Sequence, residues 1–97
     1  MKSSKPLRSL LYVPGNSPSM VQHCMVLGAD GVILDLEDAV ALSEKDAARF
    51  LVRHALETLD FMGTPVFVRV NGADTPFFED DLRAIVPARP DGIRLPK

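Results

Sequence analysis

A single cysteine, Cys24, rules out an intrachain disulfide and leaves no cluster of zinc-binding spacing. Neither sign of charge dominates. Eleven Lys and Arg stand against 13 Asp and Glu, a net of -2 with no basic stripe, so nucleic acid is not an expected partner. No apolar run approaches a membrane span, and "MKSSKPLRSLL" lacks the long apolar core of a secretion signal. No membrane partner is expected, and a reducing cytoplasm fits best. Low-complexity runs are missing, and neither a G-x-G-x-x-G nor a Walker sequence marks a nucleotide site. What remains is an ordinary globular composition in 97 residues, enough for one small domain at most.

Strand-like and helix-like patterns alternate along the chain. "RSLLYV" (8–13) is a short apolar run that ends at Pro14-Gly15. Ser17 offers an N-cap with Pro18 at the first helical position, and Val21, Cys24, Met25 and Gly28 follow at helical spacing. Cys24 reads as a core residue and Gly28 as a helix C-terminus. "GVILDL" is a second strand. Ser43 and Asp46 resemble a capping box. Beyond it Ala48, Leu51, Val52, Ala55, Leu56 and Leu59 form an apolar face, with Arg49, Arg53 and Glu57 opposite. "PVFVRVN" (65–71) is a third strand, "PFFEDDLRAIV" (76–86) a third helix and "GIRLPK" (92–97) a fourth strand. Phe77 and Phe78 would anchor the third helix, and Glu79-Asp80-Asp81 read as its solvated first turn, favoured by the helix dipole.

The order β-α-β-α-β-α-β points to a parallel sheet, and strands apolar on nearly every residue fit a sheet covered by helices. "ADGVILD" and "PDGIRLP" each place Asp-Gly before a strand, at Asp30 and Asp91. A helix precedes each copy, which argues against a hairpin turn. Their offset of 61 residues is close to two units of about 31 residues in an eightfold β/α barrel. The expected fold is therefore α/β: a parallel (β/α)8 TIM-type barrel. Residues 1–97 would supply about the first three and a half units of its single domain. A small doubly wound sheet is the competing architecture. Because the chain stops at Lys97, where the fourth strand would reach its active end, a large apolar edge should await further or neighbouring chain.

Three acids crowd the end of the second strand. Alternation places Ile33, Asp35 and Glu37 on one face and Val32, Leu34 and Leu36 on the other; in strand three Phe67, Arg69 and Asn71 share a face. Polar groups thus meet at the C-terminal ends of adjacent strands, where a β/α barrel keeps its chemistry. Any one acid could form a structural ion pair with Arg69 or Lys97, but one basic partner cannot neutralise three carboxylates. Arg69, in the middle of an apolar strand, calls for a bidentate carboxylate, from substrate or from a neighbouring acid. Asp38 could simply cap the turn. His23 and His54 lie within helices and read as surface or packing residues.

"RSLLYVPGN", "VILDLEDAV", "VALSEKDAAR", "FVRVN" and "RLPK" resemble, in order, the N-terminal blocks of the citrate lyase β-subunit family of aldolase-like β/α-barrel lyases. The resemblance spans essentially all 97 residues. It implies an enzyme that breaks a carbon–carbon bond in a 3-hydroxyacyl thioester. For a citryl thioester on an acyl-carrier protein the products would be oxaloacetate and an acetyl thioester. Relatives that cleave malyl or citramalyl coenzyme A thioesters share most of these blocks. Within it, Arg69 is the substrate-carboxylate arginine, with Asn71 and Lys97 beside it as further substrate-binding residues. Asp35, Glu37 and Asp38 line the site as proton handlers or supports of a Mg2+ ion. The Mg2+ ligands themselves, a Glu and an Asp, would lie beyond Lys97. The Pro14-Gly15-Asn16 loop would meet the thioester carrier. A homo-oligomer, trimeric by family, and other subunits of a citrate lyase complex are the implied protein partners. A small non-catalytic α/β binding or regulatory module is the alternative of another class.

Overall fold

The computed structural model describes residues 9–23 and 29–96, and the positions assigned above to Cys24, Met25, Gly28 and Lys97 lie outside the described residues. Four strands carry the fold: β1 (Leu10–Pro14), β2 (Gly31–Asp35), β3 (Val66–Arg69) and β4 (Gly92–Arg94). Between them run α1 (Pro18–His23), α2 (Lys45–Thr58) and α3 (Phe78–Ile85), with 3-10 turns at Leu42–Glu44 and Val86–Ala88. The sheet is wholly parallel in the order β1-β2-β3-β4. A doubly wound sheet reverses its order at a switch point, and this one does not. Sequential order with right-handed crossovers puts all the helices on one face, as in consecutive units of a β/α barrel.

The valines and leucines face those helices. Val13, Val32, Leu34, Val68 and Val70 are essentially inaccessible and pack with Ala48, Val52 and Ala55 of α2 and Ile85 of α3. The opposite face carries Tyr12, Ile33, Phe67 and Gly92 in one row, and Pro14, Asp35, Arg69 and Arg94 in the next. Position 92 has no room for a side chain: a Cβ there would lie 2.8 Å from Cδ1 of Phe67.

The two Asp-Gly pairs do the same job in their respective units. The Asp30 carboxylate accepts the Ser9 N–H at 3.1 Å, ahead of β1, while that of Asp91 accepts the Val66 N–H at 2.7 Å, at the start of β3. Each ties its own strand to the preceding one at the N-terminal edge of the sheet, and the parallel pairing disposes of the hairpin alternative.

Three local expectations are corrected. Ser43 does not cap α2: it lies inside the 3-10 turn, Glu44 takes the N-cap position without a side-chain bond, and Asp46 bonds Arg49 instead. Arg49 is not on a solvent face, since its side chain is only 13% exposed. Nor is Asp81 part of a solvated turn. It is 1% exposed, because a helix that packs Phe78 and Ile85 against the core must also turn position 81 inward.

Candidate active site at the C-terminal edge of the sheet

Asp35 ends β2, and Arg69, its partner in register, ends β3. The guanidinium grips the carboxylate with both ends: Arg69 Nε donates to Oδ1 and Nη2 to Oδ2, each at 2.8 Å. Each oxygen also takes a main-chain donor, Oδ1 from Glu37 N–H at 3.0 Å and Oδ2 from Ala39 N–H at 2.9 Å. Asp35 rather than Asp38 therefore caps the turn after the strand. Burial pushes the Asp35 carboxyl up, but Arg69 and the two N–H groups outweigh it and hold the pKa below the ordinary value. The Arg69 pKa is raised, first by the bond to Asp35 and then by the nearby charges.

Asp35 is thus filled by the protein itself, in a bidentate ion pair with Arg69. Arg69 is not filled. A guanidinium has five N–H donors, of which Asp35 takes two. Glu37 and Asp38 approach at 3.8 and 3.9 Å, beyond good hydrogen-bond distance, and the Tyr12 ring lies 5.0 Å from Arg69 Cζ. Arg69 is 20% exposed, Glu37 27% and Asp38 77%, so two accessible carboxylates lie beside the Nε and Nη2 that also serve Asp35. Glu37 also borders a cleft of about 390 Å3, walled by Gly72, Ala73, Asp74, Thr75 and Pro96.

Asn71 is not where alternation put it. Regular pairing in β3 ends at Arg69, and the Asn71 side chain turns to α3, where Nδ2 donates to Asp81 at 2.7 Å and the main-chain N–H to the same oxygen at 2.9 Å. It is 3% exposed and holds the loop from behind. Gly15, after β1, is there for space: its N–H donates to Asp35 O at 2.8 Å, and a Cβ would sit 2.7 Å from that same oxygen and from Val52. Pro14 and Asn16 flank it, partly buried at the same edge.

Residue patterns overlooked Lys45, Arg49 and Asp81. Lys45 Nζ donates to the carbonyls of Leu36 at 3.0 Å and Glu37 at 2.7 Å. Arg49 Nε donates to Asp81 at 2.9 Å. Burial disfavours the Arg49 charge, but Asp81 and Asp46 outweigh it and raise its pKa. A helical projection carried the signal, since 45, 48, 49 and 52 share a stripe, as do 78, 81, 82 and 85.

Among the described residues no group of three or more His, Cys, Asp or Glu side chains converges to hold a metal ion. With Asp35 saturated, Glu37 and Asp38 are acids of this edge with lone pairs to spare for an ion or substrate. No helix among the described residues is long and apolar enough to cross a membrane.

Comparison with known proteins follows the same lines. The citrate lyase subunit beta of Leuconostoc mesenteroides is 50% identical over 97 residues, which is all of this chain and 32% of that protein. A (3S)-malyl-CoA thioesterase of Cereibacter sphaeroides is 46% identical over 92 residues, 95% of this chain and 32% of its own length. The chain thus spans about a third of the curated relatives it matches. Among solved structures, CitE of Mycobacterium tuberculosis in complex with magnesium, acetoacetate and coenzyme A superposes with a TM-score of 0.77 at 33% identity, covering 95% of this chain and 34% of that one. The citrate lyase beta subunit of the same organism with oxaloacetate and magnesium gives 0.62 at 34% identity, over 79% and 32%. These are β/α-barrel proteins, and the four-stranded parallel sheet is a portion of that fold. Residues 8–97 match the model of the HpcH/HpaI aldolase/citrate lyase family, and the chain belongs to that family.

Proposed function

We propose that residues 1–97 are the N-terminal part of one β/α-barrel domain of a carbon–carbon lyase acting on a 3-hydroxyacyl thioester. The first candidate substrate is a citryl thioester on an acyl-carrier protein, cleaved to oxaloacetate and an acetyl thioester. The observation that carries the reading is Arg69, clamped by Asp35 on one side and open at the C-terminal edge on the other. A planar guanidinium with unused N–H pairs fits a carboxylate, which a citryl, malyl or citramalyl group supplies.

In this reading Arg69 binds and orients the substrate carboxylate, and Asp35 keeps the fork from rotating. Lys97 and the loop around Asn71 complete the carboxylate pocket, while Pro14, Gly15 and Asn16 meet the arm that carries the thioester. A base outside residues 1–97 takes the hydroxyl proton, the carbon–carbon bond breaks, and its electrons pass to the thioester as an enolate, which an acid then protonates. Glu37 and Asp38 are positioned to relay that proton. A bound Mg2+ would stabilise the developing oxygen charge. Its ligands come from beyond residue 97, in keeping with the magnesium complexes of the solved relatives. The working assembly is a cytoplasmic homo-oligomer, expected to be trimeric, in contact with the other citrate lyase subunits.

A second reading has its own support, since malyl-CoA relatives match nearly as well, and they are named thioesterases. Product analysis separates the two. The full gene product is assayed with citryl and malyl thioesters of coenzyme A and acyl-carrier protein, with and without Mg2+. Oxaloacetate or glyoxylate with an acetyl thioester identifies carbon–carbon cleavage, whereas free acid and thiol identify hydrolysis. Arg69→Ala should lower kcat/KM by about 100-fold or more, because two charge-assisted bonds of about 1.5 kcal/mol each are lost. Cleavage unaffected by Arg69→Ala sinks the proposal. A cooperative melt and monomeric sedimentation of residues 1–97 alone would favour an independent binding module.

A further inference from the structure

Lys45 breaks two rules of stability at once. It is the first residue of α2, where the helix dipole disfavours a cation, and it is only 7% exposed, where an ammonium is costly to desolvate. Its acceptors are main-chain carbonyls, those of Leu36 and Glu37, and the Phe77 ring lies 5.9 Å away. Lys45 thus satisfies two carbonyls from a point of the core stripe where an apolar residue is the usual occupant. Departures of this kind are characteristic of positions kept for function.

One helical turn on, Arg49 reaches the other side of the edge. Through Asp81 it holds both the main-chain and side-chain N–H groups of Asn71. Two cations four residues apart on a rigid helix therefore grip two different loops, one carrying Glu37 and one beginning two residues after Arg69. The loop at 36–40 has further ties, from Leu36 N–H to Arg69 O at 2.9 Å and from Val40 N–H to Glu37 O at 3.1 Å. None of these reaches α2, so Lys45 supplies the hydrogen bonds between that helix and the acidic loop.

We infer that Lys45, together with Arg49, is a positioning residue: the first turns of α2 act as a clamp that sets the spacing between Glu37 and the Arg69–Asn71 strand end. The inference rests on the proposed thioester site, because that spacing matters only if both ends engage one substrate. Lys45 touches no reacting atom in this scheme. It acts through the carbonyl of Glu37, a residue that borders the cleft.

The test uses the full gene product, comparing Lys45→Met and Lys45→Gln with wild type. Three measurements are made: thioester cleavage, hydrogen exchange of residues 36–41, and thermal melting. A misplaced group costs about 10- to 100-fold in rate, so kcat of Lys45→Met should fall by that factor while KM moves less than about threefold. Exchange in 36–41 should rise while that of β2 and the body of α2 stays at wild-type level. Lys45→Gln, which keeps a neutral donor, should recover part of both losses. Cleavage within about threefold of wild type, or a rate loss that merely tracks a falling melting temperature and global exchange, overturns the clamp. If Lys45→Met does not fold, the same criteria are applied to Lys45→Gln. A wild type that cleaves no thioester refutes the lyase reading, whereas unchanged loop exchange in Lys45→Met refutes the clamp, so the two failures are distinguishable.

Discussion

Replacing Asp35 by asparagine measures what the central ion pair contributes to the fold. The carboxylate accepts four hydrogen bonds, and each oxygen takes one from the main chain and one from Arg69. Whichever way the introduced amide turns, its NH2 confronts one main-chain N–H and one guanidinium N–H. Two donors lose their acceptor. Each orphaned buried donor costs about 1–3 kcal/mol, which bounds the loss at about 2–6 kcal/mol. Arg69 is partly exposed and keeps Glu37 and Asp38 nearby, so the lower half of that range applies, about 3 kcal/mol. Equilibrium urea unfolding of the full gene product at pH 7 reads this directly. The pH dependence supplies an independent check. Asp35 has a folded pKa below its unfolded value, so its stabilisation is fully present above the unfolded pKa and is lost as pH falls through the folded one. The gap between wild type and Asp35→Asn should therefore hold constant from neutral pH down to about pH 4 and narrow below it. A loss under about 1 kcal/mol at pH 7, or a gap unchanged in acid, would refute the account of Asp35 as a charged, fully bonded anchor.

Other substitutions test the frame around that pair. Gly15→Ala drives a methyl against Asp35 O and Val52, both at 2.7 Å, and backbone cannot yield cheaply; the denaturation midpoint should drop by the equivalent of about 2–3 kcal/mol. Asp81→Asn can keep its oxygen on Asn71 but not also on Arg49, so calorimetry should record a loss of about 1–3 kcal/mol. Leu34→Ala empties a fully buried position between β2 and the helices and should cost about 2–5 kcal/mol in the same urea assay, with little direct effect on KM.

Much of this arrangement was legible in residue order. Strands two and three are recognisable because Val32, Leu34, Val66 and Val68 repeat at period two beneath an apolar flanking residue, and α2 because Ala48, Val52 and Ala55 repeat at helical spacing. That Arg69 shares a face with the acids ending strand two follows from the same periodicity, once the strands are taken as parallel neighbours. Asn71 escaped because alternation holds only while pairing continues, and pairing in β3 stops at Arg69. Asp81 escaped because three consecutive acids at a helix start look like solvated dipole partners, and nothing local marks which of them turns inward. Lys45 escaped because a lysine is taken for a surface residue until its acceptors are known, and those lie eight and nine residues away.

By itself the sequence determined the element types, the parallel class and the placing of acids and Arg69 at strand ends, because those depend on periodicity within short windows. Which carboxylate Arg69 takes, which lysine is buried, and which side of the strand end Asn71 serves were decided only by tertiary structure. Each depends on the distance between groups from different elements, and the step from 2.8 to 3.8 Å there separates a filled carboxylate such as Asp35 from an open one such as Glu37.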